Sequence, residues 1–141
     1  MKLLDTNIVI YAMGKTHPYK GPCLQVMARA SQGTQEYIID AELLQEILHI
    51  FYVRRQVERG IARVNDLLSI FPNVIPIGVQ EVRVASRILA HNLRLSSRDA
   101  IHAGVVLAHG LEGLVSTDRS FDGITGLVRY DPTAMVNEQG R

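Results

Sequence analysis

Cysteine, tryptophan and net charge are all scarce in this chain, and each scarcity excludes a class of protein. Cys23 has no second cysteine with which to form an internal disulfide, and without further thiols the five histidines give no zinc-ligand spacing. Three phenylalanines and five tyrosines provide no aromatic platform for stacking single-stranded bases. A net charge of +1 is too small to indicate a nucleic-acid partner by itself.

Long hydrophobic runs are also absent. No apolar stretch reaches the roughly 18 residues of a membrane-spanning helix, and Asp5 interrupts the apolar start that a signal peptide would need. We therefore expect a soluble, cytoplasmic protein with no membrane partner, which agrees with the lack of disulfides. With 141 residues and 47% hydrophobic content, the chain fits a single domain over residues 1–136, followed by a frayed polar tail over residues 137–141.

Short apolar segments alternate with segments of helical periodicity along the chain. Strands are predicted at residues 3–4, 37–39, 74–77, 114–115 and 127–130, with Pro76 placing the third strand at an edge. Helices are predicted at residues 7–13, 19–30, 41–53, 57–71, 80–91 and 98–109. The predicted N-caps are Thr6, Asp40 and Ser96 or Ser97, and Gly110 suits the position after a helix end. Helices between continuously apolar strands indicate an α/β fold whose parallel sheet is covered on both faces.

Four acidic residues lie beside or inside these apolar segments: Asp5, Glu46, Asp99 and Asp118. Asp5 and Asp118 follow predicted strands, at the edge of a parallel sheet where ligands bind. Glu46 falls along the buried stripe of its helix, and Asp99 shares a helix face with Ala103. Two carboxylates held about 4 Å apart repel by about 4 kcal/mol at an effective dielectric of about 20, so a divalent cation would relieve such a cluster.

A cluster of carboxylates favours a hard cation over zinc. Oxygen ligands select Mg²⁺ or Mn²⁺, and carboxylate-bound Mg²⁺ typically serves phosphate chemistry. The ion lowers the pKa of a bound water, orients that water towards a phosphodiester and neutralises charge on the phosphate oxygens. Arg98 and Arg119, each adjacent to one of the four acids, are candidates for contacting nearby phosphates.

Each of these residues also has an ordinary structural explanation. Asp5 and Asp118 suit helix caps or turns, whereas Asp99, like Glu42, suits the positive end of a helix dipole. His102 fits a surface or helix-packing position better than a contact with substrate. Four arginines that lie close together in sequence fit a solvated helix face: Arg54, Arg55, Arg59 and Arg63.

Four ordered motifs carry a resemblance to a known family. They are Leu3-Leu4-Asp5-Thr6-Asn7, Glu46 within its helix, Asp99-Ala100-Ile101-His102-Ala103, and Ser116-Thr117-Asp118-Arg119-Ser120-Phe121-Asp122. Together they resemble the acidic motifs of the PIN domain, over nearly the whole chain. The small stand-alone form is similar to the VapC toxin ribonucleases of type II toxin–antitoxin pairs.

The resemblance implies a three-layer α/β/α sandwich with a central, mainly parallel five-stranded sheet. It implies a Mg²⁺-dependent endoribonuclease, in which Mn²⁺ would substitute, with an RNA substrate, a homodimeric state and a VapB-like antitoxin that covers the active site. The catalytic and metal-binding residues that it implies are Asp5, Glu46, Asp99 and Asp118. The supporting residues, which would orient ligands or water, are Thr6, Asn7, Ser116 and Thr117.

Two other functions remain compatible with the sequence. A non-catalytic RNA-binding module on the same fold would bind RNA without cleaving it, although loss of acids would be its sequence sign and all four are present. A haloacid-dehalogenase-like phosphatase would also place an aspartate after the first strand. That family normally needs a second acid at the position where this chain has Asn7.

Overall fold

A computed structural model describes residues 1–139, with side chains through Val136. The strands are β1 (Lys2–Leu4), β2 (Tyr37–Asp40), β3 (Val74–Ile75), β4 (Gly113–Val115) and β5 (Arg129–Tyr130). The α-helices of this part of the chain are α1 (Thr6–Met13), α2 (Lys20–Ser31), α3 (Ala41–Val53), α4 (Val57–Ile70), α5 (Val79–His91), α6 (Ser97–Ala108) and α7 (Pro132–Gln139). A 3₁₀ helix, Arg119–Gly123, follows β4. Within residues 1–139, no helix combines the length and the apolar character needed to cross a bilayer.

All five strands are parallel and lie in the order β3-β2-β1-β4-β5. In the central strand β1, Leu3 pairs with Ile38 of β2 on one side and with Leu114 of β4 on the other. The chain adds β2 and β3 to one side of β1 and then crosses to the other side, so the strand order reverses between β1 and β4. Ligands of parallel α/β sheets bind beyond the carboxyl ends of the strands at such a reversal.

Successive residues of β1 and β4 face opposite sides of the sheet. Leu4 and Val115 belong to the core cluster that includes residues of α1 to α4 and α7, whereas Leu3 and Leu114 belong to the cluster that includes residues of α5 and α6. All four side chains are fully buried. The predicted three-layer α/β/α sandwich is confirmed, and β3, followed by Pro76, lies at the sheet edge as predicted.

The predicted helix caps depend on short local contacts, and most of them are present. Asp40 caps α3 by accepting a hydrogen bond from the Leu43 amide at 2.9 Å. Ser96 caps α6 in the same way, accepting from the Asp99 amide at 3.2 Å. Gly110 follows α6 with φ +61°, a left-handed conformation that glycine adopts at little cost.

The N-terminus of α1 and the C-terminal segment differ from the predictions. Asp5, in an extended conformation, takes the N-cap position of α1, and Thr6 is already helical. The periodicity does not predict α7, although Asp131 accepts a hydrogen bond from the amide of Thr133 at 2.9 Å and Pro132 suits the first helical position. Residues 137–139 continue α7, and residues 140–141 of the predicted frayed tail lie outside the described residues.

Helices α5 and α6 approach each other closely at Gly104. A Cβ atom on Gly104 would lie 2.9 Å from the carbonyl oxygen of Glu81 and 3.1 Å from the amide nitrogen of Ala85. Both atoms belong to the backbone of α5, which cannot swing away as a flexible side chain would. The absence of a side chain at Gly104 therefore sets how near α6, with Asp99 in its first turn, comes to α5.

We expect Gly104→Ala to lower the free energy of unfolding by about 1–3 kcal/mol relative to Gly21→Ala. Both changes add one methyl group to a helical glycine, but an added Cβ at the exposed Gly21 meets nothing within 4 Å. Urea denaturation of the two variants measures the difference. Equal free energies of unfolding for the two variants would show that α5 moves away from the added methyl group at no cost in stability.

Candidate active site

Hydrogen bonds join the carboxyl ends of β1 and β4 directly. The amide of Asp5 donates to the carbonyl oxygen of Val115 at 2.9 Å. The hydroxyl of Ser116 donates to Asp5 Oδ2 at 2.6 Å, and both side chains are buried. Asp5 therefore lies at the strand reversal to which the sheet topology points.

The Ser116 hydroxyl is also the centre of a second set of contacts. It accepts hydrogen bonds from Asn7 Nδ2 at 3.2 Å and from the amide of Asp118 at 3.0 Å. Because its own proton goes to Asp5, the hydroxyl uses its donor and both acceptor positions. Asn7 Oδ1 accepts from the amide of Thr117 at 3.5 Å. These contacts hold the loop that carries Asp118 against the start of α1.

His102 on α6 contacts residues of three other elements. Its Nδ1 lies 2.7 Å from Oδ2 of Asp40, the last residue of β2. Its Nε2 lies 3.1 Å from Glu46 Oε1 on α3, 3.2 Å from Thr6 Oγ1 on α1 and 3.9 Å from Asp5 Oδ1. Of the two predicted positions, the surface position is wrong, because the side chain is 0% exposed. The ring is packed between helices, as the other alternative predicts, and both of its nitrogens face polar groups.

The four predicted site acids lie close enough to affect one another. Burial raises the pKa of Asp5 to about 6; the charge on His102 opposes the rise, and repulsion from Asp99 and Glu46 adds to it. Burial also raises the pKa of Asp99, with further repulsion from Asp118 and Glu46. Burial acts on Glu46 in the same direction, but its hydrogen bond with His102 and the charge on that ring outweigh burial and hold its pKa below the usual value.

His102 is the cation that faces this cluster from inside the protein. Burial by itself would lower its pKa, but hydrogen bonds with Asp40 and Glu46 and the nearby charge on Asp5 hold the pKa well above its usual value. An ionised carboxylate can only accept a hydrogen bond, so carboxylates at both ring nitrogens require a proton on each. Part of the negative charge of the cluster is therefore balanced before any ligand binds.

The sequence predicts only a capping role for Asp40. In the structure its two oxygens have different partners: Oδ1 accepts from the Leu43 amide and Oδ2 faces His102. The sequence does contain a signal for a site role, because Asp40 is the last residue of β2 and Asp5 directly follows β1. Because capping already explains an aspartate at this position, the sequence gives no reason to expect its contact with His102, 62 positions away.

Glu42 also lies close to the site, although its place at the positive end of the α3 dipole would explain it without any role there. Burial and repulsion from Glu46 raise its pKa, and the cation of His102 and the charge on Arg98 partly oppose the rise. Leu43 and Ile47, each one position after one of these two glutamates, face the core instead. Glu42 and Glu46 are one helical turn apart, so they share a face of α3.

The arginines that the sequence singled out are exposed, and a further arginine contacts the end of β4. Arg98 and Arg119 are exposed and adjacent in sequence to Asp99 and Asp118. Arg129 is largely buried and donates to the carbonyl oxygen of Ser116 at 2.9 Å. This hydrogen bond stabilises the chain where it leaves β4. The four arginines near the α3–α4 connection are exposed, as expected of a solvated face: Arg54, Arg55, Arg59 and Arg63.

The chemistry of the acids fits a hard divalent cation. Among the described residues, no group of three or more His, Cys, Asp or Glu side chains is arranged to hold a metal ion, and oxygens of Asp5 and Glu46 instead contact Ser116 and His102. The donors are nevertheless all carboxylates, and burial and mutual repulsion raise the pKa of both Asp5 and Asp99. A cation beside them would reduce the cost of burying the charged carboxylates and the repulsion between them. Oxygen donors favour Mg²⁺ or Mn²⁺ for this position.

The raised pKa of Asp5 predicts that Asp5→Asn stabilises the metal-free protein at neutral pH. Folding favours the protonated carboxyl, so this group lowers stability as pH rises through the interval from about 4 to about 6. A rise from 3.8 to about 6 corresponds to at most about 3 kcal/mol. Urea unfolding in EDTA should therefore show D5N more stable than wild type at pH 7.5, by a margin that shrinks towards pH 4.

The exposed acid Asp66 on α4 provides the control for this measurement. Its side chain is 63% exposed and pairs with Arg63 at 3.6 Å, so Asp66→Asn should change the unfolding free energy by less than about 0.5 kcal/mol at either pH. A D5N protein that is no more stable than wild type at pH 7.5 would contradict the electrostatic account of the site.

Known proteins share both the sequence and the fold of this chain. The PIN domain family model matches residues 2–127. Ribonuclease VapC13 of Mycobacterium tuberculosis is 33% identical over 129 residues, which cover 92% of this chain and 98% of VapC13. Ribonuclease VapC7 of the same organism is 28% identical, over 95% of this chain and 93% of VapC7.

Solved structures agree on the fold. DNA-bound VapBC from Salmonella typhimurium contains a chain with a TM-score of 0.73 and 23% identity, covering 92% of this chain and 96% of that one. VapBC2 from Rickettsia felis, bound to a DNA fragment from its promoter, has a TM-score of 0.70 and 18% identity, with coverage of 92% and 98%. The ordered acids, the parallel sheet and these matches lead to one conclusion: the chain belongs to the PIN domain family.

Proposed function

We propose that the protein is a metal-dependent endoribonuclease and the toxin of a type II toxin–antitoxin pair. The observation that carries the proposal is the set of mutually repelling, partly buried carboxylates at the strand reversal. Its relatives are named ribonucleases, and the structural neighbours include toxin–antitoxin complexes, which supports RNA as substrate and a VapB-like antitoxin as partner. We expect the toxin to act in the cytoplasm as a homodimer.

Four carboxylates would hold the ion, and four polar residues would support them. The proposed ligands are Asp5, Glu46, Asp99 and Asp118, and the supporting residues are Thr6, Asn7, Ser116 and Thr117. Bound Mg²⁺ or Mn²⁺ would supply an activated water and neutralise charge on the phosphate oxygens. The Ser116 hydroxyl donates to the carboxylate of Asp5 and accepts from the backbone amide of Asp118, so it positions the first acid and the backbone that carries the second.

The exposed arginines beside the acids provide the contact with RNA. Arg98 and Arg119 project next to Asp99 and Asp118, and a guanidinium binds a phosphate through two parallel hydrogen bonds. Both side chains are exposed and so available to the substrate, and the charge on Arg98 also acts on Glu46. A contact with phosphate carries no base specificity, which agrees with recognition of RNA by shape.

Purified protein should cleave RNA in Mg²⁺ or Mn²⁺ and stop when EDTA is added. Asp5→Asn and Asp99→Asn should each reduce the cleavage rate by about 100-fold or more, because transition-state charge loses several kcal/mol of stabilisation. Gel analysis of a structured RNA measures the rates. Asp66→Asn, an exposed change of the same chemistry on α4, should cleave as wild type does.

Two results would contradict this mechanism. Equal cleavage by wild type and D5N would exclude the proposed acid cluster as the active site. Tight RNA binding without cleavage, insensitive to Mg²⁺ and to Asp→Asn changes, would instead favour a non-catalytic RNA-binding module.

Induced expression tests the role as a toxin. We expect growth arrest with wild type, no arrest with Asp99→Asn, and relief of arrest when the product of a small neighbouring gene is co-expressed. Sequencing of the cleaved RNA ends in arrested cells would then identify the target. Arrest that persists in the D99N strain at equal protein level would count against a nuclease toxin.

A further inference from the structure

Two buried polar residues, Asp40 and His102, are not among the proposed ligands of the active site. Both side chains are 0% exposed, and their contact of 2.7 Å joins residues 62 positions apart in sequence. Burying two polar side chains costs desolvation energy, and apolar residues of similar size would usually fill such a space at no loss of stability. The pair therefore invites an explanation other than packing.

Their contacts connect the helices that carry the proposed ligands. Asp40 precedes α3, which carries Glu46, and caps that helix through its other oxygen. His102 lies on α6, three residues after Asp99 and therefore on the same helix face. One hydrogen bond thus ties the start of α3 to the face of α6 on which Asp99 sits.

The second nitrogen of the ring continues the connection into the site. His102 Nε2 contacts Glu46 Oε1 at 3.1 Å and Thr6 Oγ1 at 3.2 Å. With Nδ1 held by Asp40, the ring cannot rotate without breaking contacts on both edges. The orientation of the Glu46 carboxylate is in this way determined by a residue that need not touch the substrate.

We propose that Asp40 and His102 form a positioning pair that orients Glu46 and holds α3 and α6 at the separation that the active site requires. This inference rests on the proposed function, since it concerns the same acids. It adds Asp40 and His102 to the residues on which cleavage depends, although neither would contact RNA or the reacting atoms. Asp40 acts through His102, and His102 acts through Glu46 and Thr6.

The central test is Asp40→Asn in the full chain. Asparagine caps helices as well as aspartate does, so the start of α3 is preserved. While its oxygen accepts from the Leu43 amide, however, asparagine turns its NH₂ group, which only donates, towards His102, so Nδ1 loses its acceptor. We expect kcat for RNA cleavage to fall about 10- to 100-fold, the range seen when residues that support a metal ligand are changed, while KM changes less than about twofold.

A matched control separates positioning from general destabilisation. Val26 on α2 is buried in the cluster on the α1–α4 face of the sheet and has no polar group, so Val26→Ala should lower the melting temperature while kcat stays at the wild-type value. His102→Gln should lose at least as much kcat as D40N. The double variant D40N/H102Q should be no slower than H102Q alone, because residues acting through one another are not additive.

Two further readouts do not depend on cleavage. Calorimetric titration with Mn²⁺ alone should give a Kd about 10- to 100-fold weaker for D40N than for wild type, with V26A unchanged. In ¹⁵N NMR spectra, the ring nitrogens of His102 should shift in D40N and in Glu46→Gln but keep their positions in V26A. If H102Q does not fold, D40N, V26A and these two measurements still decide the question.

The outcomes distinguish this inference from the proposed function. A wild-type protein that binds Mn²⁺ tenfold more tightly than D40N but cleaves no RNA would overturn the proposed function and support the positioning pair. D40N with wild-type kcat and wild-type Mn²⁺ affinity would overturn the positioning pair and leave the nuclease intact. Additive losses in the double variant, or a loss of kcat in V26A equal to that in D40N, would also overturn it.

Discussion

A carboxylate buried at the carboxyl edge of the sheet constrains everything around it. Asp5 is 4% exposed, and burial raises its pKa to about 6, so its charge must be stabilised by nearby donors or by a cation. Ser116 supplies one donor from the end of β4, and His102 supplies positive charge from α6. The other contacts of the site serve to hold these two groups in place.

Each group is held in place by an element that also builds the core. Helix α6 packs against α5 at Gly104 and buries Ala100, Ala103 and His102. The packing of these two helices on one face of the sheet therefore also positions the imidazole ring of His102. Asp40 caps α3 and contacts His102 with separate oxygens. The same residues therefore contribute to the stability of the fold and to the geometry of the site. Substitutions that remove the repulsion among the acids are expected to stabilise the protein and to lower its activity.

Much of the fold follows from local patterns. Short apolar strands, helical periodicity and the caps Asp40 and Ser96 lead to the parallel α/β arrangement, and Pro76 indicates an edge strand, because each of these signals acts over only a few residues. Helix α7 does not follow from periodicity, since among its described side chains, residues 132–136, Met135 is the one that joins the core cluster on the α1–α4 face. A helix with so few apolar positions facing the core leaves too weak a pattern to stand out.

The sequence by itself determined which acids are candidates for the site. Each of them lies beside an apolar segment that a short stretch of sequence is enough to identify: Asp5, Glu46, Asp99 and Asp118. Only the tertiary structure decided what pairs with them. In sequence, His102 is an ordinary helix residue and Asp40 is explained as a cap. The parallel sheet nevertheless brings α3, α6 and α1 to one edge and makes the two residues neighbours. Contacts between residues 62 and 96 positions apart depend on strand order and helix packing, which no short window of sequence contains.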